Sequence, residues 1–310
     1  MRVTESMISS AYMNDLNRNL SRIARYQEQL ATNKRINRPS DDPVGVISSL
    51  AVRSSMRGLA QFSRNADDAT GWLTQSETAV MDINEVLNRS YELAMQSASG
   101  TKSDIEKRAI ATELKQLRDY LVELGNARLG DKYIFGGFNT TTPPFQKAGN
   151  DVLYQGFNLT SADAADIDSL QEQNVRFEIN SGTRISVGFN GVELMGRGSD
   201  NIFALMDNLI NDLSGNADTH VLAGHAAKMQ ARQDDILTLA ADIGGRTNRL
   251  SLLSDRFTED GYNYERLQSS IEDIDTAEII TRLKLAETVY EAALSIGSKV
   301  ILPNLTEFLR

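Results

Sequence analysis

Apolar residues recur at helical spacing along almost the whole chain, with one central exception. Between about Ser6 and Thr32, Met13, Leu16, Leu20, Ile23 and Leu30 fall at alternating steps of three and four, with Gln27 completing the series. That spacing predicts a helix with a narrow heptad seam. Its other faces are polar, Asn14, Asn17 and Asn19 among them, so the helix has little reason to be stable alone. The run Asn37-Arg38-Pro39-Ser40-Asp41-Asp42-Pro43 breaks it. A residue before proline is pushed out of the α region, Asp42 can cap with its carboxylate, and Pro43 suits a first helical position. Pro39, Asp42 and Pro43 are therefore expected to form a domain joint, with a new helix from Pro43.

That helix carries Leu59, Phe62, Ala66, Ala69, Leu73, Ser76, Val80, Ile83, Leu87, Ser90 and Ala94 in the same alternation and is expected to reach Ser99, stopped by Gly100. Ser103-Asp104-Ile105-Glu106 reads as a capping box. The helix it opens shows Ile110, Leu114, Leu117, Leu121 and Leu124 and is expected to end near Gly130. The pattern then changes. Gly136-Gly137 and Pro143-Pro144 break helix, while Val175, Phe177 and Ile179, then Ile185, Val187 and Phe189, alternate with polar residues. Asn180-Ser181-Gly182 and Asn190-Gly191 are turn signals, the latter a two-residue hairpin turn. Further strands are expected at Tyr133–Phe135 and Val152–Tyr154.

Helix returns at about Asn201–Leu213. Met229, Ile236, Ile243, Leu250, Phe257, Tyr264 and Ile271 then recur every seven residues, with Leu239, Leu253, Leu267 and Ile274 at alternate partner positions and Arg232, Arg246 and Asp260 between them. A seven-residue period calls for a helical partner, and the long helix after Pro43 is the candidate. The last segment has a broader face: Ile279, Leu283, Ala286, Tyr290, Ala293, Leu294, Gly297 and Ile301, ended by Pro303. The predicted fold is mainly α, a long antiparallel helical rod or coiled-coil bundle with a small inserted β domain. The expected domains are a terminal helical coiled coil (1–40 and 276–310), a helical rod (41–132 and 200–275) and a β-rich insert (133–199).

Composition sharpens this reading. Five prolines and 6% aromatics in 310 residues favour helix. A net charge of −10 without a basic block argues against nucleic acid. No apolar run is long enough to span a bilayer, and the opening Met1-Arg2-Val3-Thr4-Glu5-Ser6 lacks the pattern of a cleaved signal peptide. The ends differ in charge. Residues 1–38 hold seven basic and three acidic side chains, a net +4, and residues 272–310 hold four and seven, a net −3.

Candidate chemistry is sparse. There is no cysteine, and His220 and His225, five apart, share a helical face poorly. Asp41-Asp42, Asp67-Asp68 and Asp234-Asp235 fall at caps or on polar faces, where solvated charge explains them. No nucleophile has an activating neighbour and no glycine pair has a phosphate-loop context, so neither an enzyme nor a cofactor is expected. What remains is apolar surface for association, and the expected assembly residues are Met13, Leu16, Leu20, Ile23, Leu30, Ile279, Leu283, Tyr290, Leu294 and Ile301.

These segments resemble the flagellin-related axial proteins of the bacterial flagellum, and within them the hook–filament junction branch. The resemblance is carried by Arg2-Val3-Thr4 with Met7, Arg35-Ile36-Asn37-Arg38-Pro39-Ser40-Asp41-Asp42-Pro43, and Tyr133-Ile134-Phe135-Gly136-Gly137 with Thr142-Pro143-Pro144-Phe145. It is carried also by Ile243-Gly244-Gly245-Arg246-Thr247-Asn248-Arg249-Leu250 and by Ile301–Leu309. It implies a structural subunit secreted through the flagellar type III apparatus without a cleaved signal. It further implies a homo-oligomeric ring between an adjacent hook-associated protein and flagellin, terminal helices in the axial core, and an export chaperone at the C-terminal helix. A short, minor flagellin shares much of this pattern. The alternative from another class, a coiled-coil signalling module, is opposed by the β insert, the 1–38 arm and the lack of a membrane span.

Overall fold

The computed structural model describes residues 5–99, 103–149, 151–160, 174–215 and 217–300. Gly100, Arg2-Val3-Thr4, residues 161–173 and the terminal run that includes Ile301 lie outside the described residues. The chain forms two compact units, one of residues 1–59 with 259–310 and one of residues 60–258.

The larger unit takes its core from helical stripes. On α2 (Pro43–Ser97) the alternation is buried from Ala66 onward, through Ala69, Leu73, Val80, Ile83, Leu87 and Ala94. Ser76 and Ser90 sit in the same stripe and donate to the carbonyls of Trp72 and Val86, so no hydroxyl is left unmatched there. The seven-residue series on α6 (Thr219–Glu272) is buried at Met229, Ile236, Ile243, Leu250 and Phe257. Ser103 and Glu106 form the expected reciprocal cap of α3 (Asp104–Gly125).

α3 stops at Gly125, short of Gly130. Asn126 accepts from the Phe145 N–H and donates to its carbonyl, both at 2.9 Å, drawing the chain off the helix onto a strand. A Cβ at Gly125 would strike the Phe145 ring. The sheets are small and antiparallel: β1 (Arg128–Leu129) pairs with β2 (Lys132–Tyr133), β3 (Phe145–Ala148) with β4 (Asp151–Tyr154), and β4 with β5 (Phe157–Asn158). Phe145 faces Tyr154 across the ladder with ring centroids 5.1 Å apart. The Tyr154 hydroxyl donates to the Phe135 carbonyl, and burial pushes its pKa up to about 12.

β6 (Arg176–Asn180) and β7 (Thr183–Ser186) form the hairpin expected around Gly182, which has φ +76°. The hairpin expected at Asn190-Gly191 is replaced by a helix cap. The Asn190 side chain accepts from the Val192 and Glu193 N–H groups and starts α4 (Gly191–Met195). An Asn before a Gly suits either structure, and here the Tyr154 ring occupies the space a Gly191 side chain would need. α5 (Ile202–Ser214) packs on α3, where the Arg118 guanidinium lies 2.7 Å from Asp207.

In the smaller unit, α1 (Glu5–Thr32) and α7 (Thr276–Val300) lie antiparallel, joined to the first part of α2 and the last part of α6. Ser49, Arg53 and Leu59 of α2 meet Glu272 and Gly261 of α6.

Candidate assembly interface

The α1–α7 pair has a thin core. Ile23, Ile279 and Ala286 are its buried apolar residues, beside buried Asn19 and Gln29. Leu16, Leu30, Leu283 and Tyr290 are half-buried. Met13, Leu20 and Leu294 are 46%, 48% and 45% exposed. Six of the ten expected assembly residues are thus buried or half-buried, three are exposed, and Ile301 is outside the described residues.

On α1 the line that meets α7 is Tyr12, Leu16, Asn19, Ile23, Tyr26 and Leu30, shifted from the expected Met13, Leu16, Leu20, Ile23, Gln27 and Leu30. Both lines obey the heptad rule. Tyrosine decides between them, because its ring fills a seam while its hydroxyl finds a polar partner. The Tyr12 hydroxyl donates to the Ala293 carbonyl at 2.8 Å. It comes so near α7 that a Cβ at Gly297 would collide with it. The Gln29 amide donates to the Arg35 carbonyl at 2.9 Å.

At the end of this pair the chain turns through two breaks that face each other. Asn33 takes a left-handed φ of +57°, a conformation asparagine tolerates. Lys34 and Asp273 form an antiparallel bridge, and the Arg35 N–H donates to the Glu272 carbonyl at 2.6 Å. Asp41 accepts from the N–H groups of Asn37 and Arg38, and Asp42 from that of Gly45, so Pro43 opens α2 behind a carboxylate cap. Pro39 is exposed in the intervening turn. The Arg35 guanidinium ties the two breaks together, 3.0 Å from Asp42 and 2.8 Å from the Ile271 carbonyl.

Glu272 is the hub of this joint. It is 2% exposed, and it accepts two hydrogen bonds from the Arg53 guanidinium at 2.8 Å, one from Ser49, and others from Gln268. Lys34 lies 3.4 Å from it and 2.5 Å from Asp273. The Arg53 hydrogen bonds, helped by those of Ser49 and Gln268, hold the Glu272 carboxyl at about 2 against burial. The opposite charges of the two chain ends are thus partly used within one molecule, at Lys34 with Glu272 and Asp273. Sequence reasoning missed this cluster, whose partners are hundreds of positions apart. It also passed over Val44, Ile47 and Leu50, an exposed apolar stripe at the start of α2.

Of the two histidines, His225 is buried and its Nε2 lies 2.6 Å from Asp212. Among the described residues no group of three or more histidine or acidic side chains is placed to hold a metal, and no helix is long and apolar enough to cross a membrane. The described site is made of helix faces and a polar joint, and what it can do is bind other surfaces.

Two family models match the chain: the bacterial flagellin N-terminal helical region over residues 3–140 and the C-terminal helical region over residues 228–309. The flagellar hook-associated protein 3 of Salmonella typhimurium is 22% identical, across 94% of this chain and 95% of its own length. Its counterpart in Escherichia coli is 24% identical over the same shares. A solved structure of the flagellar junction protein FlgL from Legionella pneumophila superposes with a TM-score of 0.56 at 13% identity, covering 74% of this chain and all of that one, a likeness of fold.

Proposed function

Since this chain belongs to the bacterial flagellin family, we propose that it is a structural subunit of the flagellum at the junction between hook and filament. One observation carries the junction reading: the likeness to hook-associated protein 3 runs through nearly the full length of both chains, the central β region included. The subunits form a ring through their terminal helices, between an adjacent hook-associated protein and flagellin. Segments 1–40 and 276–310 make the axial part, 41–132 with 200–275 the rod, and 133–199 the outward insert. The chain is secreted through the flagellar export apparatus, and an export chaperone holds the C-terminal helix beforehand. It works by association, without catalysis, cofactor or membrane insertion.

The assembly mechanism follows from the thin α1–α7 seam. Ordering a residue costs about 1–2 kcal/mol of backbone entropy, and three buried apolar side chains offset little of that over two helices. Neighbouring subunits supply the missing burial, and the opposite charges of the ends favour one register and orientation more than they add affinity. A minor flagellin remains the second reading, favoured by the flagellin models that match both ends. Deleting 1–38 and 279–310 together should leave a soluble, cooperatively melting monomer that fails to restore swimming to a strain lacking the gene. Swimming with the truncated chain would remove the terminal helices from the mechanism.

A further inference from the structure

The α1–α7 pair presents two different flanks. A groove of about 450 Å³ runs along one of them, floored by Leu16, Leu285 and Val289 and rimmed by Arg18, Arg22 and Arg282. Two of these cations are matched: Arg18 lies 3.5 Å from Asp15, and Arg282 bonds Glu278. Arg22 has no ion pair among the described residues. At about 100° per residue, Met13 and Leu20 fall on the other side of α1 from Arg18 and Arg22. Ile280, Glu287, Glu291 and Leu294 fall likewise on the other side of α7 from Leu285 and Val289. Met13, Leu20, Ile280 and Leu294 are exposed large apolar side chains. Glu287 is matched by Lys284 at 2.8 Å, while Glu291 has no ion pair among the described residues. One flank is therefore an apolar groove with a spare cation, and the other an apolar ridge with a spare anion.

Resting on the terminal-helix reading above, we propose that the groove is occupied by the ridge of a second copy of this chain, so that the contact between subunits is heterologous, with Arg22 of one subunit answering Glu291 of the next. Like flanks answer neither spare charge, because ridge on ridge adds anion to anion and groove on groove cation to cation. Identical subunits joined groove to ridge propagate in one direction and close into a ring or continue as a helix. Charges flanking an apolar seam choose partner and orientation in this way in coiled coils. The contact also sets an axial offset. Tyr12 lies level with Ala293 in the antiparallel pair, which puts Arg22 level with about position 283. Glu291 is eight residues from that level, so the neighbouring pair is staggered by about 12 Å at 1.5 Å per residue.

Charge reversal tests this in a strain lacking the gene, with full-length chains. Arg22→Glu and Glu291→Lys should each abolish swimming while the purified monomers melt as the parent does, and the chain carrying both should swim. Co-expression of the two single variants should also restore some swimming, because the groove of each variant finds a ridge of opposite charge on the other. If both singles fail and neither combination rescues, or if both singles swim, the Arg22–Glu291 pairing is wrong. The terminal deletion distinguishes that from failure of the broader reading: a deleted chain that still assembles overturns both, whereas a deleted chain that fails to assemble keeps the terminal-helix reading and leaves the charge variants to decide the pairing.

Discussion

Replacing Glu272 by Gln should open the joint between α1, α2, α6 and α7 and weaken its response to acid, leaving the smaller part carried by Asp41, Asp42 and Asp273, whose carboxyls are also held low. The carboxyl titrates at about 2 in the folded chain against an ordinary 4.5. At about 1.4 kcal/mol per unit that difference corresponds to roughly 3 kcal/mol. Arg53, the main partner, is half-exposed, so solvent screening brings the figure down to about 1–3 kcal/mol. The folded value is depressed, so this stabilisation is complete above pH 4.5 and is lost as pH falls from there toward 2. The local reporter is the Arg35 amide, which donates to the Glu272 carbonyl. Hydrogen exchange over residues 33–37 of the monomer should be roughly tenfold faster or more in Glu272→Gln, since about 1.4 kcal/mol is a factor of ten. It should also accelerate in the parent between pH 4.5 and 2, after correction for intrinsic rates, and much less in the variant. Equal protection in both proteins, or the same acid acceleration in both, would refute the assignment of the joint to this carboxylate.

Gly297→Ala should separate α1 from α7, because the new methyl meets the Tyr12 hydroxyl. Overpacking of this kind costs about 1–3 kcal/mol, and proteases should release residues 5–32 faster while the melt of the larger unit stays put. Leu73→Ala and Leu250→Ala, both at fully buried positions, should each cost about 2–5 kcal/mol in the melt of the larger unit; unchanged melts would mean these seams do not hold it. Leu294→Asp should leave the monomer's stability alone, as its side chain is half in solvent, yet block assembly by burying a carboxylate without a partner. A swimming Leu294→Asp strain would exclude that flank from the interface.

Local and periodic features were legible in the amino-acid sequence. The start of α2 at Pro43, the Ser103–Glu106 box and the seven-residue series from Met229 to Phe257 each lie within one stretch of chain and appear where expected. The register of the α1 seam was not legible. Two lines one residue apart satisfy the same heptad, and the choice of Tyr12, Asn19 and Tyr26 over Met13, Leu20 and Gln27 depends on the facing helix. Asn190-Gly191 was ambiguous for a related reason, since one dipeptide serves both hairpin and cap, and only the packing of Tyr154 settles it. The Glu272 cluster was invisible because Ser49, Arg53 and Lys34 reach it across more than two hundred residues. Pairings of that length carry no periodic trace.

Labelling the protein on intact cells reveals where in the flagellum the subunit sits. Electron microscopy with an antibody against the 133–199 insert should show a single narrow band where hook meets filament. Label spread along the filament would contradict the junction reading and identify a flagellin instead.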